Sequence, residues 1–441
     1  MRDRVYKTIS AFFDFDATGT DLRREIVAGA TTFVTMSYIV AVNPAILKAA
    51  GIPEGPSMVA TIMTAIFGCV LMGLYANRPF AVAPYMGENA FIAYTVVRVL
   101  HYSWQTALGA VFLAGVAFAA LTALRVRQWL VEAVPPGLRY SFAAGIGLFL
   151  AFVGLNESGL VTIGAPGAPV KIGEVTSPAV MLAVFGFVAI SILMMWRIPG
   201  AMLIGIVLTS LAAFASGAAR PPEALFSIPP SPAPIMMKID LSSALSWGFF
   251  GVLLTIFVMA FVDTMGTLVG VSARAGLLDE NGHLPHIERP MMVDALATAF
   301  AGLAGTTTAG AYVESAAGVA AGGRTGLSAV VTAILFAGAL FAAPFVSAIP
   351  PQAYGPALIV VGAMMLAPIV RIDFDDLTEL VPAFAVIALM SFTYNIGVGI
   401  TAGFVLYPLF KLAAGRYREV RPGLWVLGGL SLMFFVFYPY R

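Results

Sequence analysis

The stretch APYMGENAFIAY, residues 83–94, and the stretch TTTAGAYVESAAGVAAGG, residues 306–323, decide the fold of this chain. Both lie in strongly apolar surroundings, yet each contains glycine or proline and a single glutamate, Glu88 or Glu314. A straight helix in lipid would contain neither the helix breakers nor the acid, because an ionised side chain at mid-membrane costs at least ~2.5–3.5 kcal/mol. The two stretches therefore indicate interrupted membrane segments with a function.

The two interrupted segments also resemble each other. Residues 85–90, YMGENA, align with residues 311–316, AYVESA, so that the two glutamates correspond at a separation of about half the chain. Paired interrupted segments in the two halves are the sequence sign of a carrier built from inverted repeats, with its substrate at the midplane between half-helix ends. Small residues that only permit close helix packing are the plainer interpretation, but they do not account for the glutamates.

The composition requires a membrane. The chain has 441 residues, of which 60% are hydrophobic and 11% charged, with a mean hydropathy of +0.92. A soluble protein has roughly 25% charged residues. The net charge of +1 gives no reason to expect a nucleic-acid partner. The single cysteine, Cys69, excludes an intramolecular disulfide.

The apolar runs predict an all-α integral membrane protein with about fourteen spans. A crossing helix needs ~20 mostly apolar residues, and the runs are continuous, whereas a lipid-facing barrel would alternate polar and apolar residues. The predicted spans are residues 25–47, 57–76, 79–99, 104–123, 140–156, 178–196, 199–216, 246–272, 291–306, 308–322, 326–348, 355–370, 379–396 and 398–414. Whether the further apolar stretch 422–438 crosses the membrane is open.

The Lys and Arg residues predict the orientation. With the N-terminus in the cytoplasm, eighteen of the 24 basic residues fall on the inner side and five on the outer side. This is the bias that the positive-inside rule describes. Because a missed span would reverse the side assigned to every later loop, the bias also supports the order of the spans. We therefore expect a multi-pass protein of the plasma (inner) membrane with a cytoplasmic N-terminus.

Three acidic residues, Glu88, Asp263 and Glu314, lie inside predicted spans, and the other twenty, including Glu157 and Asp294, lie in loops or near span ends. No Lys or Arg lies deep in a span to pair with the three. They must be neutralised by a proton, a metal cation or a hydrogen-bonding ligand, and burial favours the protonated carboxyl. A carboxyl that takes a proton on one side and releases it on the other suits a proton-coupled carrier. A permanently protonated, structural carboxyl is the alternative.

Further breaks and aromatic side chains lie near these acids. Asp263 interrupts the apolar helix FVMAFVDTMGTLVGV, residues 257–271, and Asn43-Pro44 marks a break, or a simple helix stop, near the end of the first span. Phe261 and Tyr312 are among the nearby aromatic residues. They can stack on a flat ligand, although aromatic side chains in lipid spans usually only pack.

Four stretches resemble the AzgA-like purine permeases, a branch of the nucleobase–cation symporters. They are AGATTFVTMSYIVAVNP (28–44), APYMGENAFIAY (83–94), FVDTMGTLVGVSARAGLLDENG (261–282) and YVESAAGVAAGGRTGLSAVVTA (312–333). The resemblance implies two inverted seven-helix repeats, with the third and tenth spans broken into a short strand-like segment and a half-helix. It also implies proton-coupled import of adenine, guanine or hypoxanthine.

The resemblance also divides the chain into four parts. Residues 1–135 (spans 1–4) and 241–348 (spans 8–11) correspond to a core domain. Residues 136–240 (spans 5–7) and 349–441 (spans 12–14 and the C-terminal apolar segment) correspond to a gate domain. Alternating access between these two domains is the implied mechanism.

Site residues follow from the family motifs. Asn89 matches the substrate-site asparagine of the family, and Asp263 and Glu314 match its essential carboxylates, which we expect to couple protons as well as to bind substrate. Glu88, Ser315 and Phe261 complete the predicted substrate site. An asparagine amide supplies a donor and an acceptor, and a carboxylate accepts two N–H groups, as the edge of a purine requires.

Two departures from the family pattern concern Glu88 and Ala260. Glu88 stands where many relatives have a hydrophobic residue, and Ala260 stands where relatives often have an aspartate; Tyr85 also replaces a common glycine. A carboxylate can thus have moved from the eighth span to the third. The purine preference and the number of protons moved therefore stay open.

Other function classes fit less well. An anion carrier of the same fold would want a basic residue near the half-helix ends, and a sodium-coupled symporter would use unwound carbonyl groups. The chain has no HExxH or GxSxG motif, so we expect no enzyme, and we expect no cofactor and no metal site. The expected partners are a purine nucleobase, a proton or sodium ion, membrane lipid and, as one option, a second copy in a homodimer.

Overall fold

A computed structural model describes residues 2–124, 133–165, 168–224, 226–275, 277 and 284–437. The elements of the first half are α1 (Arg2–Phe12), α2 (Phe15–Thr18), α3 (Leu22–Met36), α4 (Ile39–Lys48), α5 (Glu54–Leu71), β1 (Val82–Pro84), α6 (Met86–Ala90), α7 (Trp104–Ala123), α8 (Pro136–Glu157), β2 (Val161–Ala165), β3 (Ala168–Ile172), α9 (Pro178–Met195) and α10 (Ala201–Ala215). Two π-helical segments, Met72–Ala76 and Phe91–Val99, extend α5 and α6.

The second half again consists mainly of helices, with one short strand, β4. Its elements are α11 (Leu241–Ala244), α12 (Phe250–Ala275), α13 (Glu288–Ala304), β4 (Ala309–Ala311), α14 (Ser315–Ala320), α15 (Gly326–Ala339), α16 (Ala343–Ser347), α17 (Pro351–Met365), α18 (Leu377–Phe392), α19 (Ile396–Ala413) and α20 (Pro422–Phe437). Short 3-10 turns lie at Trp247–Phe249, Leu340–Ala342, Ala367–Arg371 and Tyr417–Glu419.

The helices confirm a mostly α-helical, multi-pass membrane protein. Within the described residues, eight helical segments are long and apolar enough to cross a bilayer, and three further apolar helices are shorter. Helix α9 has only 22% of its apolar window buried inside the protein, so most of its surface faces outward, as lipid contact requires. The predicted total of fourteen spans exceeds these eight and stays a prediction.

The two interrupted segments meet in a small antiparallel sheet. Strand β1 pairs with β4 in the register Val82↔Ala311 and Pro84↔Ala309. Each strand leads into a short helix, α6 or α14, and because the strands are antiparallel the two helices leave from opposite ends of the sheet. Backbone groups inside a membrane must be satisfied within the protein, and each strand supplies the hydrogen bonds that the other needs.

Two neighbouring helices hold this sheet in the same way. The Cys69 thiol of α5 accepts a hydrogen bond from the N–H of Val82 (3.2 Å) and donates one to its carbonyl (3.4 Å). The Thr298 hydroxyl of α13 accepts from the N–H of Ala309 (3.2 Å) and donates to its carbonyl (2.8 Å). Through these equivalent contacts, α5 holds β1 and α13 holds β4, so the sheet lies between the two helices.

The first span breaks earlier than the sequence analysis expected. Helix α3 ends at Met36 and α4 begins at Ile39, whereas Pro44 lies inside the continuous helix α4. The break at Asn43-Pro44 was therefore wrong. Asn43 instead donates from its amide to Thr61 (2.7 Å) and Thr306 (3.1 Å), and so ties the first span to the second and to the chain entering β4.

Glu25 joins the two halves at a helix terminus. Its fully buried carboxylate accepts hydrogen bonds from the N–H groups of Arg324 (2.8 Å), Thr325 (3.2 Å) and Ser328 (3.2 Å). The first N–H groups of a helix have no intrahelical partner, and here a carboxylate from α3 satisfies those at the start of α15. The negative charge also suits the positive end of the helix dipole.

The loops contain one element that the sequence did not predict. Strands β2 and β3 form an antiparallel hairpin between α8 and α9, with Val161 opposite Ile172. The described residues of the proline-rich stretch 217–240 form no helix or strand and include a turn at residues 233–237, and their backbone bonds to Gln105 and Leu303 anchor the stretch to α7 and α13. Residues 278–283, which include the DENG stretch of the quoted motif, lie outside the described residues.

Candidate functional site

Two tyrosines stack where the strands turn into helices. Tyr85 follows β1 and Tyr312 follows β4; their ring centroids are 6.1 Å apart with an interplanar angle of 6°. The Tyr312 hydroxyl donates to the Pro84 carbonyl, and the Tyr85 hydroxyl lies 3.3 Å from the Thr264 hydroxyl of α12. The two residues lie beyond opposite ends of the antiparallel sheet, where Tyr85 bonds to Thr308 and Tyr312 to Ala81, so their rings meet across it. The Tyr85 hydroxyl links this stack to α12.

Glu88 and Asn89 lie on α6 next to this stack. Both residues are fully buried. Among the described residues, neither carboxylate oxygen of Glu88 and neither polar atom of the Asn89 amide has a hydrogen-bond partner. Leaving such groups unpaired costs about 1–3 kcal/mol each, which is the pattern expected where a polar ligand completes the hydrogen bonding.

Asp263 of α12 lies opposite Glu88. The two carboxyl groups are within hydrogen-bonding reach of each other. As two carboxylates they are both acceptors, so a hydrogen bond between them requires one proton. The fully ionised pair thus leaves the Glu88 oxygens without a donor.

Glu314 lies at the N-terminal end of α14, and one of its oxygens is held by the first span. The Tyr38 hydroxyl donates to Glu314 Oε1 at 2.8 Å, while Oε2 has no hydrogen-bond partner among the described residues. Tyr38 follows the break between α3 and α4. The break therefore places a hydroxyl that fixes one oxygen of Glu314 and leaves the other available.

Tyr312 has several acidic neighbours. Its hydroxyl is within electrostatic range of the carboxyl groups of Glu314, Glu88 and Asp263. The structure thus brings together the three acids that the sequence analysis identified inside predicted spans.

The other two predicted site residues have different positions. The Ser315 hydroxyl accepts a hydrogen bond from the N–H of Ala81 at 2.9 Å, so it links α14 to the residue before β1. Phe261 belongs to α12, but its side chain lies outside the part of the structure that is described. Phe257, another aromatic residue of this helix, stacks on Phe118 with centroids 4.5 Å apart, which is a packing contact.

Sequence analysis missed Tyr38 and Asp294. Asp294 lies within α13, is 2% exposed and accepts a hydrogen bond from the N–H of Ala311 (3.2 Å), so it is a fourth buried acid near the sheet and not a span-end residue. A Cβ added to Gly310 would collide with the Tyr85 hydroxyl and lie 2.8 Å from Asp294. The sequence signal for Asp294 was the mostly apolar stretch that follows it directly, which indicates an acid inside a span. Nothing local identifies Tyr38.

A separate polar cluster lies near the other end of α8. The Glu157 carboxylate accepts hydrogen bonds from the hydroxyls of Tyr94 (2.9 Å) and Tyr354 (3.0 Å). The Thr95 hydroxyl donates to the Tyr394 carbonyl at 2.6 Å. These bonds connect the segment after α6 with α8, α17 and the end of α18.

Comparisons with known proteins agree with the geometry. The Xan_ur_permease model, described as a permease family, matches residues 23–405. The adenine permease AdeQ of Escherichia coli is 40% identical over 413 residues, covering 94% of this chain and 93% of AdeQ. The guanine/hypoxanthine permease PbuG of Bacillus subtilis is 40% identical over 440 residues, covering 97% of this chain and 100% of PbuG.

A solved structure shows the same fold at low identity. The transmembrane domain of the cyanobacterium bicarbonate transporter BicA superposes with a TM-score of 0.63 at 17% sequence identity, covering 87% of this chain and 97% of that one. This likeness concerns the fold alone. Because the family model spans most of the sequence and the relatives align over nearly their whole length, the chain belongs to this permease family, is a membrane transporter and not an enzyme, and its resemblance to the AzgA-like purine permeases is confirmed.

Proposed function

We propose that this protein is a secondary active transporter that imports purine nucleobases together with protons. The observation that supports it most directly is the fully buried Asn89 amide, whose donor and acceptor are both unpaired among the described residues. The adenine and guanine/hypoxanthine permeases that align over nearly the whole chain support the substrate class.

The chemistry of the site suits the edge of a purine. A purine presents N–H donors and acceptor atoms in one plane, and an amide beside a carboxylate complements such an edge. We assign Asn89 and the free oxygen of Glu314 to the purine. The Tyr85–Tyr312 stack offers a parallel aromatic surface that a flat ring can extend at a centroid spacing of about 4.5–7 Å.

We further propose a fold of fourteen spans in two inverted seven-helix repeats, with the N-terminus in the cytoplasm. The equivalent roles of Cys69 on β1 and Thr298 on β4, together with the antiparallel pairing of these strands, support this symmetry. An axis in the membrane plane would relate the two interrupted segments and would place their half-helices at the midplane.

The proposed domains are the core, residues 1–135 and 241–348, and the gate, residues 136–240 and 349–441. Close backbone contact between α8 and α17 supports a rigid gate, because Gly154 and Gly355 each face the carbonyl of the other. Gly87 of α6 faces Ile146 of α8, where an added Cβ would lie 2.8 Å from the Ile146 side chain. The site would therefore lie where the core meets the gate.

Asp263 and Glu314 are the proposed proton-coupling residues. Each is a carboxyl group inside the protein with an acceptor oxygen that no basic side chain neutralises in the observed contacts. Proton binding removes the charge that opposes movement through a low-dielectric interior. The carrier can then change from the outward-open to the inward-open state with its proton and ligand both bound.

Uptake assays test this proposal. Cells expressing the chain should accumulate labelled adenine, guanine or hypoxanthine but not uracil, and a proton uncoupler should abolish accumulation. Asp263→Asn and Glu314→Gln should lose accumulation while reaching the membrane at normal levels, whereas Glu174→Gln, at an exposed loop position, should transport normally.

Other outcomes would identify the alternatives. Uncoupler-resistant accumulation that depends on external sodium would replace the proton with Na⁺. Transport of an inorganic anion without any nucleobase would favour an anion carrier of the same fold. Normal accumulation by both carboxyl variants would refute the assigned residues.

A further inference from the structure

Glu88 is a buried acid whose position the purine-binding role leaves unexplained. It is fully buried, and its two oxygens have no hydrogen-bond partner among the described residues. The nearest charge that acts on it belongs to Asp263 on α12. A buried carboxylate without a donor or a counter-charge is unstable, so another species must complete this site.

Two tyrosine hydroxyls and two further acids surround Glu88 and Asp263. The Tyr85 hydroxyl faces both carboxyls from the end of β1, and the Tyr312 hydroxyl faces them from the end of β4. Tyr85 bonds to Thr264 and Tyr312 to the Pro84 carbonyl. Glu314 acts on Tyr312, and Asp294 acts on Tyr85, more strongly than the two acids of the pair do, and both add negative charge. Among the described residues, the groups that act on Glu88 and Asp263 therefore include no cation.

Two carboxyl groups at hydrogen-bonding distance in such surroundings cannot both be ionised. Like charges this close repel strongly where water is excluded, and one proton removes the repulsion and supplies the missing hydrogen bond. Groups that interact this strongly titrate as a pair and not as separate residues. The proton then belongs to both side chains.

We propose that Glu88 and Asp263 form one proton-binding site that holds a single shared proton, and that Glu88 is a coupling residue of the carrier and not a purine ligand. This rests on the proposed nucleobase–proton symport. Glu88 precedes Asn89 on α6, so the helix that presents the proton site also presents the proposed ligand amide. Ligand binding and protonation are thereby linked through one short helix.

This arrangement has a measurable consequence for binding. If one proton is linked to one ligand, the Kd of the ligand changes by about tenfold per pH unit across the titration of the pair. Removing either carboxyl should remove the part of this pH dependence that the pair contributes, and the part carried by Glu314 should remain. A carrier whose proton sits on Asp263 alone would keep the dependence when Glu88 is replaced.

Infrared spectroscopy of the purified protein tests the shared proton without any ligand. We expect a carboxylic C=O band whose intensity changes with pH, and we expect Glu88→Gln and Asp263→Asn each to abolish that same band. Glu314→Gln, which leaves the pair intact, should retain it. Size-exclusion profiles and melting temperatures establish that each variant is folded. If only one of Glu88→Gln and Asp263→Asn folds, its infrared spectrum alone tests whether the proton is shared.

Three results would overturn the proposal. They are a pH-dependent band that persists in Glu88→Gln, two bands of which each variant removes one, and no carboxylic band in the wild type. Failure of every nucleobase to bind would refute the proposed substrate but would leave the infrared result valid, so the two failures can be distinguished.

Discussion

Replacing Tyr94 by Phe should release a contact between the proposed core and gate domains on the side that the proposed orientation places outside. The Tyr94 hydroxyl donates to Glu157 at 2.9 Å, and the second donor to this carboxylate, Tyr354, belongs to the proposed gate together with Glu157. The substitution thus removes a bond between the domains, while Tyr354→Phe removes an equivalent bond within one domain.

The structure sets the size of the effect. A hydrogen bond to a charged acceptor contributes about 1.5–3 kcal/mol. If it forms only when the outer side is closed, its loss shifts the equilibrium toward the outward-open state by roughly 10- to 150-fold. The Thr95 bond to the Tyr394 carbonyl, 2.6 Å long, remains in the variant and keeps part of the closure.

A cysteine at position 146 makes the opening measurable. Ile146 is 1% exposed and faces Gly87 of the substrate segment, and Cys69 is fully buried. In right-side-out vesicles, a membrane-impermeant thiol reagent should label Ile146→Cys at least about tenfold faster when Tyr94 is also replaced by Phe. The Tyr354→Phe background should label at nearly the original rate.

Equal labelling rates in the Tyr94→Phe and original backgrounds would refute the reasoning. Faster labelling in Tyr354→Phe than in Tyr94→Phe would also contradict it, because the bond within the gate would then control closure. Labelling of Cys69 in the protein without the added cysteine serves as the background.

Other predictions concern stability and packing. Glu25→Ala leaves three buried N–H groups without their acceptor and should lower the free energy of unfolding by about 3 kcal/mol or more, seen as a lower melting temperature in detergent. Gly310→Ala forces a Cβ into the neighbouring tyrosine hydroxyl; overpacking costs about 1–3 kcal/mol, so uptake should fall by roughly tenfold, while Gly338→Ala, which points into open space, should be neutral. Hydrogen bonds from the Thr378 hydroxyl and a neighbouring arginine hold the pKa of Asp376 well below its usual range. The stabilisation by Asp376 is therefore present above about pH 4 and is lost as the pH falls, so the melting temperatures of wild type and Asp376→Asn should converge in acid.

The sequence predicted the membrane class and the interrupted segments because both depend on local composition. Continuous apolar runs require lipid, and a glutamate among glycines marks a segment that cannot be an ordinary span. The break in the first span was misplaced at Pro44 because a proline can remain inside a helix when neighbouring groups satisfy the freed carbonyl. The observed break, next to Tyr38, carries no comparable local signal.

The candidate site was predictable in its acids but not in their partners. Asp263, Glu88 and Glu314 were conspicuous because charge in an apolar run is rare. Asp294 was overlooked because it lies close to residue 291, where its predicted span begins. The observed helix begins at Glu288, six residues before Asp294, so this acid lies inside the helix. The hydroxyl of Ser315 accepts a backbone N–H from Ala81, a contact that the sequence did not indicate, and its contact with substrate stays a prediction.

By itself, the sequence determined that the protein lies in a membrane, which family it belongs to, and which acids cannot be ordinary surface charges. These properties follow from hydropathy and residue type along the chain. Only the tertiary structure decided that Glu88 faces Asp263, that Tyr38 holds Glu314, and that Tyr85 stacks on Tyr312. The physical reason is that pairing β1 with β4 brings together residues more than two hundred positions apart, and no local pattern encodes which distant groups will meet.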